Sequence, residues 1–387
     1  MKKYSPSTEV DFVVIGSGAA GGIMAKELSV AGFSVVVLEQ GSWGFYGRES
    51  QSTKDEWLAR NAGDEERLMS DPERQRNTYR PNDKVKAVPG NHSYGCVIGG
   101  GTVTYGGSNW RHLPYEFNEV TSDPTIPSGT GMADWPITYD EIEPWYTKAE
   151  WEVGVSGQRV NSPFFAPMSK DYPVPAMPLK SSGALFHKAA AKLGLTVVPG
   201  PLAIISQPYM ERGGCVNCGI CSGFSCQVKA RSSSAVTSLP IAEKTGRCEI
   251  RVKSYVREIS TDASGRVTGV VYFDAQKREI RQKAKAVVLS ANAGESARLL
   301  LLSKSSRFPD GLANSSGLVG RYVMYGNTIS VNALFENPLN EYKGVISGAG
   351  ILDYVPSDPK RGFYGGGRMT ARGYLTPFDM GLNGLSP

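Results

Sequence analysis

Phe12 to Ile15 is a short, uninterrupted β-branched run, FVVI, of the kind a strand buried on both faces takes. The pattern breaks at Gly16-Ser17-Gly18-Ala19-Ala20-Gly21, and apolar residues return at helical spacing from Ile23 to Leu28. A second buried run, Ser34 to Leu38, ends at Glu39. Residues 43–86 are polar and charged without an apolar stripe wide enough for a core helix, and predict a solvated cover or lid over about 43–90. Residues 134–157 predict a helix capped by Thr138 or Asp140, with Pro144 early in it. Residues 158–180 are Pro-rich and irregular. Residues 181–195 predict a helix with Ser182 as cap and Leu185, Ala189, Ala190 and Leu193 inward, which leaves His187 on the Lys-bearing surface. Cys248 to Ile259 and Val267 to Phe273 predict strands joined at Gly265. Ala286 to Ala293 is a buried strand running into a helix with Leu299 to Leu302 inside. Beyond Tyr325 the runs Thr328 to Phe335 and Lys343 to Leu352 are strand-like. The fold class is α/β, α+β overall.

The first thirty or so residues carry chemistry: strand, glycine turn, helix, strand and terminal acid is the order of a dinucleotide-binding βαβ unit. Gly16 allows the tight turn, Gly18 lets backbone approach a pyrophosphate, and Gly21 lets the helix pack on the strand. The helix N-terminus offers unpaired N–H groups and a positive dipole end to the phosphates. Glu39 lies about twenty residues past the last glycine, placed to accept two ribose hydroxyls and to repel a 2′-phosphate. The unit alone leaves FAD and NAD open.

Bulk properties exclude several classes. The chain has 387 residues, enough for one large or two ordinary domains, and its 20% of charged residues is ordinary for a globular enzyme. A net charge of +5 is scattered without a dense Lys/Arg tract, so nucleic acid is not an expected partner. No apolar run approaches the ~20 residues a bilayer span needs. MKKYSPSTEVD has no h-region of a signal peptide, so the expected compartment is the cytoplasm unless a partner subunit carries the chain to the periplasm or membrane.

Of six cysteines, four fall in the run Cys215-x2-Cys218-x2-Cys221-x4-Cys226. The clustering is too local for a disulfide framework, and the spacing is close to ferredoxin-type ligation of an iron–sulfur cluster. Zinc is the main alternative, although structural zinc usually takes two separated pairs, and four independent core cysteines is the third reading. Cys96 and Cys248 read as small core residues.

Tyr94 to Arg111, YGCVIGGGTVTYGGSNWR, strips side chains from a second patch of backbone while keeping apolar bulk that linkers lack. With the βαβ unit, IGGGTVTYGGSNWRHLP resembles the glucose-methanol-choline (GMC) flavoprotein oxidoreductases. Asp134 to Asp140, DWPITYD, and Ala230 to Glu243, ARSSSAVTSLPIAE, resemble the branch of gluconate, glucose and glucoside dehydrogenase flavoprotein subunits. The resemblance implies a Rossmann-like FAD-binding domain of GMC type followed by the beginning of an antiparallel-sheet substrate domain. It implies FAD contacts at Gly100, Gly101, Tyr105, Gly106 and Ser108, backbone to the adenine at Val256, and room beside the ligand at Ala291. Thr104 stands where some relatives attach flavin through histidine, so the expected FAD is non-covalent. The domain boundaries it implies are 1–325 for FAD binding, with a cysteine insertion over about 205–235, and 326–387 for the start of the substrate domain.

The branch also implies a dehydrogenase acting on CH–OH groups of sugars or sugar acids. Electrons would leave FAD through a [3Fe–4S] or [4Fe–4S] cluster at Cys215, Cys218, Cys221 and Cys226. The expected partners are a small signal-bearing subunit and a cytochrome c-type haem or quinone acceptor. The alternatives are a GMC oxidase or choline-type dehydrogenase without the cluster, and an FAD-binding fragment without catalysis. The family takes its catalytic His, paired with His or Asn, from a C-terminal segment. None of His92, His112 and His187 matches it, so no catalytic residue is assigned and the chain is expected to be C-terminally truncated.

Overall fold

A computed structural model describes residues 3–44, 78–82, 84–89, 94–219, 221–324, 326, 328–333 and 335–373. Most of the expected lid and His92 lie outside them. The elements used below are, in chain order, β1 Val10–Ile15, α1 Ala19–Val30, β2 Val35–Leu38, α2 Tyr139–Val153, α3 Ser181–Lys192 and β3 Val197–Pro199. They continue with α4 Ser238–Lys244, β4 Cys248–Arg251, β5 Tyr255–Thr261, β6 Val267–Phe273, β7 Glu279–Leu289, α5 Ala293–Leu302, β8 Ser347–Ile351 and β9 Met369–Arg372. Two compact units are formed, Met1–Thr104 with Ser233–Asn332 and Tyr105–Ser232 with Ala333–Pro387. Residues 105–232, read from sequence as part of the FAD domain, thus group with the later segment.

The first unit is built on β1. Its residues pair in parallel with β2, Phe12 opposite Val35 and Ile15 opposite Leu38. On the other side they pair in parallel with the second half of β7, Phe12 opposite Ala286, and β4 flanks β2. The first half of β7 turns to pair antiparallel with β6, and β6 with β5. Both faces are covered, which is why the strands are continuously apolar rather than alternating. Val14, Val35 and Val37 meet Ala25 of α1 and Leu239 and Ala242 of α4. Val13, Ile15, Val36 and Leu38 meet Val256 and Ile259 of β5, Val270 and Tyr272 of β6, and Leu299 of α5. Each fully buried Val contributes about 1.5–3 kcal/mol relative to leaving it exposed.

Several expected details differ. In α5 only Leu299 is buried and Leu302 is exposed, because one stripe of this helix packs on β5. Thr328 to Phe335 forms no strand among the described residues; Ile329 and Val331 stand 89% and 90% exposed, since β-branched residues make a strand only beside a partner.

In the second unit α2 begins as expected at Thr138. Its Oγ1 accepts from the Glu141 N–H at 3.3 Å while Glu141 Oε2 accepts from the Thr138 N–H at 2.8 Å, a reciprocal capping box. Arg111 ties down the face of this helix: Nε donates to Glu150 Oε1 at 2.8 Å, and Nη1 to Glu143 Oε1 at 2.9 Å. The helix α3 is capped by backbone at Lys180, not by Ser182, whose N–H and hydroxyl donate instead to the Glu341 carboxylate at 2.7 and 2.9 Å. It buries Gly183 and Ala190, and Leu185 and Leu193 stay exposed. His187 is on the surface, as expected. An antiparallel sheet in the order β9-β8-β3 completes the unit.

Candidate functional site

The glycine turn leaves β1 at Gly16, whose φ is +93°. A Cβ there would lie 2.6 Å from the Ser290 carbonyl oxygen and 3.2 Å from the Ala291 Cα, so only glycine fits. A Cβ on Gly21 would lie 2.0 Å from the Gly16 oxygen. Both glycines therefore hold the helix against the strand end, beside the backbone of Ser290 and Ala291. The helix starts at Gly18 with no side-chain cap and no acid in its first turn, which leaves its first N–H groups facing outward.

The second glycine stretch closes on the first. Gly99 and Gly100 take φ of +98° and +55°, and a Cβ on Gly100 would lie 2.9 Å from the Gly18 Cα. The Gly99 N–H donates to Ser17 Oγ at 3.2 Å. A Cβ on Gly101 meets nothing within 4 Å, so that position faces open space. Two stretches some eighty residues apart in sequence thus present one wall of bare backbone, a shape that suits close approach of a flat, phosphate-bearing ligand.

Glu39 is 5% exposed and locks the corner. Its Oε2 accepts from the Ser17 N–H at 3.0 Å and from Ser17 Oγ at 2.7 Å, and Oε1 accepts from the Gly41 N–H at 2.9 Å. Burial pushes its pKa up, while the bonds from Gly41 and Ser17 pull it down. The Gln40 backbone N–H also lowers it, so the carboxylate is held on several sides by its own turn. The Ser254 N–H donates to the Glu39 carbonyl at 2.8 Å, and Val256 follows two residues after Ser254 with its side chain in the core. Thus Gly16, Gly18, Gly21, Glu39, Gly100, Gly101, Ala291 and the β5 start at Val256 all belong to the first unit.

Sequence reasoning missed Ser17 and Ser234. Ser17 stands between the motif glycines and is the hub of the corner. Ser234 Oγ donates to the Ser17 carbonyl at 2.6 Å, and a Cβ on Gly22 would lie 2.3 Å from the Ser234 Cβ. The only signal for Ser234 was its place in ARSSSAVT.

Tyr105, Gly106 and Ser108 lie in the second unit. Tyr105 Oη donates to the Ser232 carbonyl at 2.7 Å, and burial pushes its pKa to about 12. A Cβ on Gly106 would touch Ile346 at 3.4 Å, and Ser108, exposed, bridges to Leu202.

The cysteine segment is in the same unit. Cys215, Cys221 and Cys226 pack on an apolar group of Val174, Met177, Leu202, Ile204, Ile205, Ala230 and Val345, while Cys218 faces outward. Arg231, 2% exposed, grips the segment: Nη1 donates to the Cys221 carbonyl at 2.5 Å, Nη2 to the Phe224 carbonyl, and its backbone N–H to Cys226 Sγ at 3.4 Å. Burial raises the Cys221 thiol to about 11 against the pull of Arg231, and raises Cys215 too. Cys215 and Cys221 each feel the charge of Cys218 and Cys226, so the segment keeps the four cysteines in one neighbourhood. None of the four is in a disulfide, and among the described residues no group of three or more His, Cys, Asp or Glu side chains is arranged to hold a metal ion. Asn217, just before the exposed Cys218, takes a φ of +50°, and the other three cysteines share the apolar wall.

The chain matches the GMC oxidoreductase family over residues 92–320, and it belongs to that family. It is 32% identical to the gluconate 2-dehydrogenase flavoprotein of Pantoea cypripedii over 92% of this chain and 63% of that protein. It is 29% identical to the fructose dehydrogenase large subunit of Gluconobacter japonicus over 97% and 70% respectively. The match to the 2-methyl-1,2-propanediol dehydrogenase of Mycolicibacterium austroafricanum is 31% over 95% and 64%. The chain thus spans 63% of the length of the first of these relatives. Among solved structures a formate oxidase superposes with a TM-score of 0.51 at 17% identity, over 78% of this chain and 48% of that one, and shows the same FAD-binding fold. These relatives bear out the GMC dehydrogenase resemblance and FAD as the cofactor.

Proposed function

We propose that this chain forms the cofactor-binding part of an FAD-dependent dehydrogenase acting on CH–OH groups of sugars or sugar acids. The observation that carries the reading is the side-chain-free meeting of Gly18 with Gly100 beside the Ser17–Glu39 bonds. FAD, when bound, supplies the acceptor for a hydride leaving the CH–OH carbon. The chain's own residues do the holding. The first N–H groups of α1 take the pyrophosphate, and Glu39 takes a ribose hydroxyl. Gly101 and Ala291 leave room, the Val256 backbone serves the adenine, and Tyr105, Gly106 and Ser108 add contacts by family likeness. Thr104 offers no histidine for attachment, so FAD is held without a covalent bond. No residue of this chain is assigned the transfer of the alcohol proton.

The proposal extends to an iron–sulfur cluster, [3Fe–4S] or [4Fe–4S], at Cys215, Cys218, Cys221 and Cys226. It also includes a small signal-bearing subunit, a cytochrome c-type acceptor, and a cytoplasmic chain unless that partner exports it. What supports the cluster is the spacing and three thiols on one wall; the outward Cys218 stands against it. That outward thiol favours a second reading, a GMC enzyme or FAD-binding chain without a cluster.

The test is dye-linked oxidation of gluconate, glucose and fructose by FAD-loaded protein, read as anaerobic bleaching of the flavin. Bleaching by any of these substrates supports the proposal; protein that retains no flavin, or flavin that none bleaches, overturns it. Iron and acid-labile sulfide analysis of anaerobically purified protein decides between the two readings, because a protein without iron leaves only the second.

A further inference from the structure

We infer that Arg368 and Trp110, on one face of the β8–β9 sheet, select an acidic, polyhydroxylated substrate. The inference rests on the dehydrogenase reading above and narrows its substrate class. Trp110 follows Ser108, the last residue of the glycine stretch assigned to FAD, by two positions. A Cβ on Gly350 would lie 3.2 and 3.3 Å from two carbons of the Trp110 ring, so glycine makes the seat for the indole. Gly350 is paired directly with Thr370, and directly opposed residues project to the same face of an antiparallel sheet. By strand alternation Arg368 and Arg372 lie on the Thr370 side as well. The indole, one hydroxyl and two guanidinium groups therefore share a face.

The guanidinium hydrogen-bond donors on that face are left without protein acceptors among the described residues. The Arg368 guanidinium stacks 4.3 Å from the centroid of the Trp110 ring. Neither it nor the Arg372 side chain forms a hydrogen bond or ion pair among the described residues. Glu116, the acid whose charge reaches Arg368, has its hydrogen bonds elsewhere: Oε1 bonds His112 Nδ1 at 3.0 Å and Oε2 accepts from the Leu113 N–H at 2.5 Å. Desolvation lowers the Arg368 pKa, the Glu116 carboxylate pulls it back up, and Arg372 lowers it further. A guanidinium fork matches a carboxylate, and an aromatic face matches the C–H side of a sugar chain, so the pair suits a sugar acid better than a neutral sugar.

The experiment is calorimetric binding of gluconate and of glucose to FAD-loaded protein, wild type and Arg368→Gln, with Arg368→Lys as control for folding. Wild type is expected to bind gluconate more tightly than glucose. Arg368→Gln is expected to weaken gluconate about 10- to 100-fold, as loss of a charged hydrogen bond does, with glucose changed by less than about threefold. Arg368→Lys keeps the charge without the fork and is expected to fall between them. Equal affinity for the two ligands in wild type, no binding of gluconate, or an unchanged gluconate-to-glucose ratio in Arg368→Gln overturns the inference. Flavin bleaching in the same samples reports separately on the dehydrogenase reading. Selective gluconate binding without bleaching sinks that reading alone, and bleaching without selectivity sinks this inference alone.

Discussion

The glycine corner of the first unit and the cysteine segment of the second are both short, glycine-bearing motifs that read as cofactor sites. Only the first arrives assembled. Its shape is made by backbone: Gly18 meets Gly100, and Gly21 meets the Gly16 oxygen, and the hydrogen bonds from Ser17 to Glu39 complete it without any ligand. The second depends on four side chains whose charged forms repel one another, and three of them satisfy themselves against an apolar wall. A site written in backbone geometry is imposed by the fold, whereas one written in thiols needs an added group to draw them together.

The comparison breaks hardest at Gly21. Gly21→Val would drive side-chain atoms into the Gly16 carbonyl, and is expected to cost more than about 3 kcal/mol and to abolish flavin retention. Gly101→Ala, in open space, is expected to leave the melting temperature unchanged while weakening FAD through the space the ligand needs. Thermal unfolding and flavin absorbance of the two purified variants separate packing from ligand approach. Equal melting temperatures for Gly21→Val and wild type would show that the corner is not the rigid element described.

In the cysteine segment the matching element is Arg231. Arg231→Met keeps bulk but strands the Cys221 and Phe224 carbonyls, at about 1–3 kcal/mol for each buried group left unpaired. The expected result is faster proteolysis within 215–226 and a lower melting temperature, with flavin content near that of wild type. Loss of flavin in step with the segment would show that the two regions are not independent.

Glu39→Gln is a smaller perturbation of the first corner. The amide can still accept from Ser17, but its NH2 then faces the Gly41 N–H, donor against donor. We expect about 1–2 kcal/mol of destabilisation and about tenfold weaker FAD, measured by flavin fluorescence titration. Unchanged FAD affinity would remove Glu39 from the ribose.

Legibility followed the same divide. The strands and helix of the βαβ unit were readable because a run buried on both faces and a glycine turn are local signals. The Gly18–Gly100 meeting was readable only as two separate glycine stretches, and the role of Ser234 only as a place in ARSSSAVT, because its bond to the Ser17 carbonyl spans the chain. The helix α3 misled for a related reason: Leu185 and Leu193 have core-like spacing, yet the buried stripe is small-residue, set by Gly183 and Ala190. The Thr328 to Phe335 run has strand composition, and composition cannot supply the neighbour a strand needs. For the cysteines the spacing was plain, but which three pack on an apolar wall and which one stays exposed follows from no spacing rule.

The mildest test concerns the order in which those thiols react. Only thiolate is nucleophilic, so a thiol whose pKa burial has raised reacts slowly at neutral pH and accelerates as pH rises toward that pKa. Cys218 is exposed, whereas Cys221 is buried and raised to about 11. With metal-free protein and a maleimide probe, Cys218 is expected to label first near pH 7. Cys221 is expected to label about tenfold faster for each pH unit up to about 11, provided the fold persists. Peptide mapping after timed quenching reads the order. If Cys218 is protected together with Cys215, Cys221 and Cys226 in protein purified anaerobically, and iron removal exposes all four, then the segment resembles the glycine corner after all, assembled by its ligand rather than by the chain.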